Sequence, residues 1–408
     1  MSLNKAFLFI ILLLLLSSIS NKTITSPSYY SYDYSIGITI EPNSWRLAID
    51  IYNTNFILYY PPEDRYYTWP KNLLDYSDNL TEGNNVQIQV YNKPIEAKEY
   101  FVPANIEGCK FNFTLYYTEN SCPDERSYYS IERNIRQLSI GFGLDVKPNQ
   151  EQSSLIHSLY NHQAIDSKTF SFEHKRDYIG KAITKNIRFG SVGQSLLNSY
   201  EYNFTSYVDA YHYKWGILFD SICIGNKTLI KVNMNVFAPL NSALNTTIRS
   251  YEVYEAFKLF LTKEHSYLKS HCKEVNEYDT VCIRCSGVSE GDLGETVNVY
   301  VEGIKEIKIP LKYFCVWENE SSCLMSGVYY DVKDEQHEVQ FGKGFLFLFD
   351  LIEFDYEQRK IAFYSHTLDI ENIRNKFYIK SKMLFSVGYL MMILGVVNNL
   401  IWFIKPIH

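Results

Sequence analysis

The run Trp215-Gly216-Ile217-Leu218-Phe219-Asp220-Ser221-Ile222-Cys223-Ile224 crowds β-branched and aromatic side chains into a short segment that stops at Gly225-Asn226. Side chains of that shape fit a pleated strand, and a Gly-Asn step marks a tight turn. From Tyr34 onward the pattern recurs, with 87–90, 296–301 and 361–364 as further short runs rich in Ile, Val, Tyr and Phe between Asn, Gly, Pro and Asp. Only a few segments read as helix, among them 153–160 and 251–261, the latter because Val253, Phe257, Phe260 and Leu261 fall on one face. Few helices among many strands predict an all-β ectodomain. The first long polar stretch, 367–382, would be a stalk.

A chain of 408 residues is long enough for one large β domain or two lobes, each with its own core. With 46% hydrophobic and 21% charged residues the composition is that of a folded protein, not of a disordered or collagenous one. The formal charge of -7 is modest, and no Lys/Arg-rich run interleaves with aromatics, which argues against nucleic acid as a partner.

The two ends indicate a compartment. Lys5 precedes an apolar run from Phe7 to Leu16, and Ser18-Ile19-Ser20 supplies the small residues of a cleavage site, so 1–20 is expected to be a signal peptide. Residues 383–404 are almost wholly apolar, with Asn398 and Asn399 as the strongly polar exceptions, and match the length that crosses ~30 Å of hydrocarbon. A transmembrane helix is expected there, followed by a short tail, 405–408; a removed lipid-anchor signal is the alternative. Lys376, Lys380 and Lys382 stand before this segment and only Lys405 comes after it, which reverses the usual positive-inside bias. A cleaved signal peptide still sends the N-terminus to the lumen, giving a single-pass type I protein of the secretory pathway.

Eight cysteines, Cys109, Cys122, Cys223, Cys272, Cys282, Cys285, Cys315 and Cys323, form an even set for which disulfides are expected in that compartment. Close spacing suggests Cys109 with Cys122 and Cys315 with Cys323. Cys282 and Cys285 form a lone C-x-x-C near His271 and Cys272; oxidation is expected of it in preference to zinc binding, since no second C-x-x-C completes a site. No cofactor is implied. Acceptor sequons for N-glycans stand at Asn79, Asn112, Asn203, Asn226, Asn245 and Asn319, and at Asn21 beside the cleavage site.

Several runs, in order, resemble pepsin and cathepsin D type aspartic proteases. Leu138-Ser139-Ile140-Gly141-Phe142-Gly143-Leu144 is similar to a strand of the first lobe, followed by 153–159 and by 165–172. Ile187-Arg188-Phe189-Gly190-Ser191-Val192 looks like the strand leaving that lobe, and 215–224 like the strand opening the second lobe's motif region. Phe341-Gly342-Lys343-Gly344-Phe345-Leu346 and 354–363 resemble the family's late strands. The resemblance implies a bilobal pepsin-like fold with lobes at 27–193 and 194–366.

It also implies a chemistry. Family members hydrolyse peptides with two Asp carboxylates about 3 Å apart that share one proton, because two like charges that close cannot both ionise. Each Asp belongs to an Asp-Thr/Ser-Gly triplet, and this sequence contains none. The nearest approaches are Asp166-Ser167-Lys168, Asp220-Ser221-Ile222 and Asp279-Thr280-Val281. In the second lobe Val236-Phe237-Ala238-Pro239-Leu240-Asn241-Ser242 falls where the motif belongs, which sets Ala238, a side chain with no proton to give, at the Asp slot. In the first lobe the slot falls to Asp50 or Ile51 within Leu47-Ala48-Ile49-Asp50-Ile51-Tyr52-Asn53. Between the strands near Tyr60 and Val86 only 61–85 remain, too short for the family's flap hairpin, although Tyr66 or Tyr67 could imitate its Tyr.

Other catalytic templates fail as well. Gly287-Val288-Ser289-Glu290-Gly291 matches a nucleophile elbow, but the next regular segment, 296–301, reads as a strand and not a helix. His265 and His271 lack metal-ligand spacing. The expectation is a membrane-anchored, glycosylated pepsin-like protein without proteolytic activity that binds a peptide or protein in its inter-lobe cleft. The alternatives are an active acid endopeptidase and a structural surface glycoprotein.

Overall fold

The computed structural model describes residues 22–27, 34–40, 43–51, 56–59, 80–90, 93–118, 138–143, 155–176, 182–208, 214–224, 227–240, 247–248, 251–277, 280–301, 306–319, 321–330 and 339–366. The expected signal peptide, stalk, transmembrane helix and tail lie outside them, as do Asn79, Asn226, Asn245 and Cys122. Among the described residues no helix is long and apolar enough to cross a membrane.

Strands dominate, as the sequence predicts. The first part of the chain builds a seven-stranded sheet in the order Ser35–Ile40, Asn43–Asp50, Leu138–Gly141, Phe56–Tyr59, Cys109–Thr118, Lys93–Ile106, Thr81–Val90. Thr39 also pairs with Asn105, so the sheet curls back on itself. The long hairpin between Lys93–Ile106 and Cys109–Thr118 turns on Glu107 (φ 47°) and Gly108 (φ 85°). Two positive φ values match the right-handed twist of the flanking strands. Asn105 Oδ1 accepts Gly108 N–H at 2.8 Å and closes the turn.

The second part builds two four-stranded sheets. One contains Lys227–Pro239, Gly216–Ile224, Thr296–Val301 and Ile307–Pro310; the other Cys272–Glu277, Thr280–Ser286, Ser322–Tyr330 and Val316–Asn319. A six-stranded antiparallel sheet then joins both parts: Ile24–Pro27, Ala182–Phe189, Thr169–Arg176, Leu351–Asp355, Lys360–Ser365 and Tyr202–Tyr207. It takes strands from before and after the expected lobe boundary at 193/194, and its seam is the pairing of Thr169–Arg176 with Leu351–Asp355.

Alternation along these strands explains the seam. Phe170, Phe172 and His174 are buried on one face of their strand, and Ile352 and Phe354 meet them from across the pairing. Phe170 and Phe354 stack with ring centroids 4.5 Å apart. Burying each such ring stabilises the fold by about 1.5–3 kcal/mol, and ring pairing adds about 0.5–1.5 kcal/mol.

The helices are few and short. Leu155–Asn161 buries Leu155, Ile156 and Leu159. Tyr251–Leu259 runs on as a π-helical turn over Phe260–Glu264, where His265 N donates to Phe260 O at 2.8 Å. This wider turn extends the helix past the expected end at residue 261.

Two disulfides form, Cys272–Cys285 and Cys315–Cys323. The second is the expected pair. The C-x-x-C expectation is corrected, because Cys282 and Cys285 share one strand and an odd separation points them to opposite faces. Cys285 bonds instead to Cys272, which stands directly opposite on the neighbouring strand, while Cys282 faces Val275. Cys109 and Cys223 carry no disulfide among the described residues.

Candidate functional site

Asp50 is the last residue of the strand Asn43–Asp50 and lies beside Gly141 in a parallel pairing, with Ile49 beside Ile140. Leu47, Ile49 and Ile51 are buried. Ile51, the other sequence candidate for the slot, is 0% exposed and belongs to the core.

The second part of the chain repeats this arrangement, and three independent contacts fix the correspondence. Ile36 opposes Leu47 in the first hairpin as Ile217 opposes Ala238 in the second. Ile49 N donates to Tyr34 O (2.9 Å) as Leu240 N donates to Trp215 O (2.7 Å). Ile49 runs parallel to Ile140, which precedes Gly141, as Leu240 bridges in parallel to Phe341, which precedes Gly342. Tyr34 therefore matches Trp215, Leu47 matches Ala238, and Ile49 matches Leu240. The expected equivalence of Asp50 with Ala238 is corrected: Ala238 is a fully buried strand residue, counterpart of Leu47. The residue after Leu240 is Asn241, outside the described residues.

The segments beside the two site strands are tied to each other through one carbonyl. Phe142, next to Gly141, accepts Trp215 Nε1–H at 2.7 Å and Tyr356 O–H at 2.9 Å. Trp215 thus supports Leu240 with its main chain and reaches the first half with its indole. Gly216 allows this crossing, since a Cβ there would lie 2.6 Å from Ala238 O and against the Phe237 ring. Tyr34, the counterpart of Trp215, sends its hydroxyl to His174 Nε2 at 2.9 Å, and His174 Nδ1 donates to Phe349 O at 2.6 Å. Burial holds the His174 imidazole down to about 4. The sequence alone does not reveal the Tyr34, Trp215 and His174 roles; the signal for the correspondence is the pair of runs Ile140-Gly141-Phe142-Gly143 and Phe341-Gly342-Lys343-Gly344.

The remaining sequence candidates are structural where they are described. A hairpin does occur between the first strands and Cys109, correcting the expected shortage: Thr81–Val90 pairs with Lys93–Ile106 from Val90 opposite Lys93. Its outer part has a small apolar cluster of its own, Ile88, Ile95 and Ala97. Tyr66 and Tyr67 lie outside the described residues. Gly287–Gly291 is a turn between Thr280–Ser286 and Thr296–Val301, in which Ser289 Oγ and N both donate to Asp292 Oδ2 at 2.7 Å. His265 Nδ1 accepts Tyr267 and Leu268 N–H and its Nε2 meets Glu295 at 3.2 Å, whereas His271 bonds Ser286 O. Asp166 binds Ser191 N and Oγ, at 2.8 and 2.6 Å. Asn112 and Asn203 are exposed on strands, and Asn319 ends the strand Val316–Asn319. Among the described residues no group of three His, Cys, Asp or Glu could hold a metal ion.

No family model matches the sequence, and no curated protein matches it either. The chain is similar in structure to the crystal structure of aspartic proteinase from Irpex lacteus, with a TM-score of 0.56 and 12% identity over 85% of this chain and 98% of that one. A likeness at that identity speaks for fold and not for activity. The described chain is mostly β with few short helices, arranged as in an aspartic proteinase.

Proposed function

We propose that this protein is a catalytically silent, membrane-anchored relative of the pepsin-like aspartic proteases that binds a peptide or protein segment in the cleft between its halves. One observation carries the reading: the backbone correspondence of Ile49 with Leu240 makes Asn241 the counterpart of Asp50. A carboxylate at one position and an amide at its counterpart differ from a carboxylate pair in one decisive way. An amide neither holds nor yields a proton near neutral or acid pH, so no proton is shared and the water-activating step has no acid partner. Ile51-Tyr52 follow Asp50 and supply neither the hydroxyl nor the Gly of the catalytic triplet, while Ser242-Ala243 follow Asn241 and keep the hydroxyl but not the Gly. The amide and carboxylate keep donors and acceptors with which a bound peptide backbone can pair.

The same reading keeps the chain in the secretory pathway, anchored by 383–404 and carrying N-glycans, and the two disulfides agree with an oxidising compartment. The test is incubation of the full chain with unfolded protein at about pH 3 to 6, the interval in which a shared-proton dyad works. No cleavage is expected. Cleavage that is blocked by a transition-state mimic of peptide hydrolysis and lost in Asp50→Asn would overturn the reading. The variant Asn241→Asp, which restores a second carboxylate, is expected to bind that mimic more tightly than the natural chain does.

A further inference from the structure

The two site strands are held by counterparts of different chemistry. Trp215 ties its half to the Phe142 carbonyl with an indole N–H, which does not titrate in water. Tyr34 ties its half to an imidazole, which does.

The direction of that second tie is set by its partners. Phe349 O can only accept, so the 2.6 Å contact requires a proton on His174 Nδ1. In the neutral ring Nε2 is then the acceptor and the Tyr34 hydroxyl the donor, at 2.9 Å. Both side chains are buried, at 2% exposure for Tyr34 and 6% for His174. The hydroxyl-bearing ring also stacks on Phe347 (5.3 Å) and lies against Phe172 (4.2 Å), so the tie sits in an aromatic shell.

The charged groups facing His174 are already engaged. From its own strand come Glu173, which accepts Lys185 and Asn186, and Arg176, whose Nε meets Asp350 at 3.3 Å. From the segment across the seam comes Asp350, whose carboxylate also takes Ser365 Oγ (3.2 Å) and His366 N (2.8 Å). From the Ser35–Ile40 side comes Tyr34 itself. A proton arriving on His174 therefore finds Asp350 committed to Arg176, with the Arg176 cation close by.

We infer that the Tyr34–His174 contact is a proton-operated latch: protonation of His174 Nε2 reverses the hydrogen bond to Tyr34 and loosens the Asp50 strand from the six-stranded sheet that carries His174, while the Trp215–Phe142 tie holds. The step is balanced by one proton taken from water. A new Nε2–H bond forms, Tyr34 Oη turns from donor to acceptor, and its own hydroxyl proton must swing away from the ring. Burial keeps the imidazole neutral down to about 4, so the latch is shut at neutral pH and opens only in strongly acidic surroundings. Asp50 ends the strand whose Ile49 hangs from Tyr34 O, which puts the candidate site under the control of this contact. The latch requires only the fold, so it stands or falls apart from the ligand-binding proposal.

The test is amide hydrogen exchange of the full chain at about pH 7 and about pH 4, corrected for intrinsic rate, comparing peptides from 35–50 with peptides from 216–240. Acid is expected to cut protection in 35–50 about tenfold more than in 216–240, a difference of about 1.4 kcal/mol in opening free energy. His174→Gln, which keeps polar contacts but cannot titrate, is expected to erase the difference. Should that variant fail to fold, Tyr34→Phe decides: protection of 35–50 is already low at neutral pH and shows no further acid step. Equal loss in both hairpins of the natural chain, or an acid step that survives in either folded variant, overturns the latch. So does a nitrogen NMR spectrum that finds the neutral His174 proton on Nε2.

Discussion

The Phe142 carbonyl joins segments that flank the two site strands, and its two donors should depend on each other. Trp215 is 0% exposed and Tyr356 is 9% exposed, with their rings 5.2 Å apart and both polar atoms on one oxygen. Tyr356→Phe removes one donor but leaves the oxygen satisfied by the indole, so the loss is about 1 kcal/mol, one net hydrogen bond. Trp215→Phe removes the other donor and also empties the space of the larger ring, for about 2–3 kcal/mol in all. In the double variant the carbonyl stays buried with neither partner. That adds the desolvation cost of an unpaired acceptor, so the combined loss should exceed the sum of the single losses by about 1–2 kcal/mol. Both replacements keep an aromatic ring in place, so the excess reports the shared oxygen and not the ring contact. Urea unfolding followed by far-ultraviolet circular dichroism measures all four proteins. Additivity within about 0.5 kcal/mol would refute the idea that one carbonyl serves both donors.

Two further outcomes are expected in the same region. His174 has a folded-state pKa of about 4 against 6.5 for the free side chain, so between those values the unfolded chain binds the extra proton. Its contribution is therefore complete above pH 6.5 and is lost as pH falls toward 4, by roughly 3 kcal/mol, and a stability profile in denaturant that stays flat over that interval would contradict it. Gly216→Ala should cost about 1–3 kcal/mol by overpacking, because its Cβ would meet the fixed Ala238 carbonyl at 2.6 Å; an unchanged midpoint in thermal unfolding would mean the crossing of Trp215 over the site strand tolerates more room than the geometry gives it.

Much of the architecture is legible in the sequence because it depends on side-chain type. Runs such as 217–224 and 296–301 are β-branched and aromatic and become the strands Gly216–Ile224 and Thr296–Val301. The short spacing of Cys315 and Cys323 likewise points to the bond that forms. What side-chain type does not carry is register. A hydrophobic strand slides along a motif without penalty on paper, whereas in the sheet one residue of slip turns every side chain to the other face. Ala238 can therefore stand for Asp50 in a motif alignment, although its neighbour Ile217 makes it the counterpart of Leu47. The hairpin Thr81–Val90 with Lys93–Ile106 is hidden for a related reason: Val86 reads as the start of a strand lying beyond the flap, when it is part of the hairpin's first arm. His174 gives no local signal at all, because what makes it unusual is Tyr34 and Phe349, each distant in sequence.

The internal repeat outranks the motif as evidence for the site. A motif match compares this chain with distant relatives, here at 12% identity even where structures superpose, so an error of several residues costs nothing. The repeat compares the chain with itself through hydrogen bonds that cannot slip independently: moving Leu240 out of step with Ile49 would break its bond to Trp215 O and its bridge to Phe341 together. Two carboxylate positions in a fold of this kind must be backbone equivalents, since only then can they approach the same proton. The residue after Leu240 in the sequence is Asn241, and the described strand Lys227–Pro239 offers no Asp or Glu. Swapping a carboxylate for an isosteric amide keeps size and hydrogen bonds while removing the like-charge repulsion that a dyad must sustain. Under the proposed reading the scaffold can therefore stay unchanged without the shared proton, and the likeness of the scaffold is no argument that the chemistry is present.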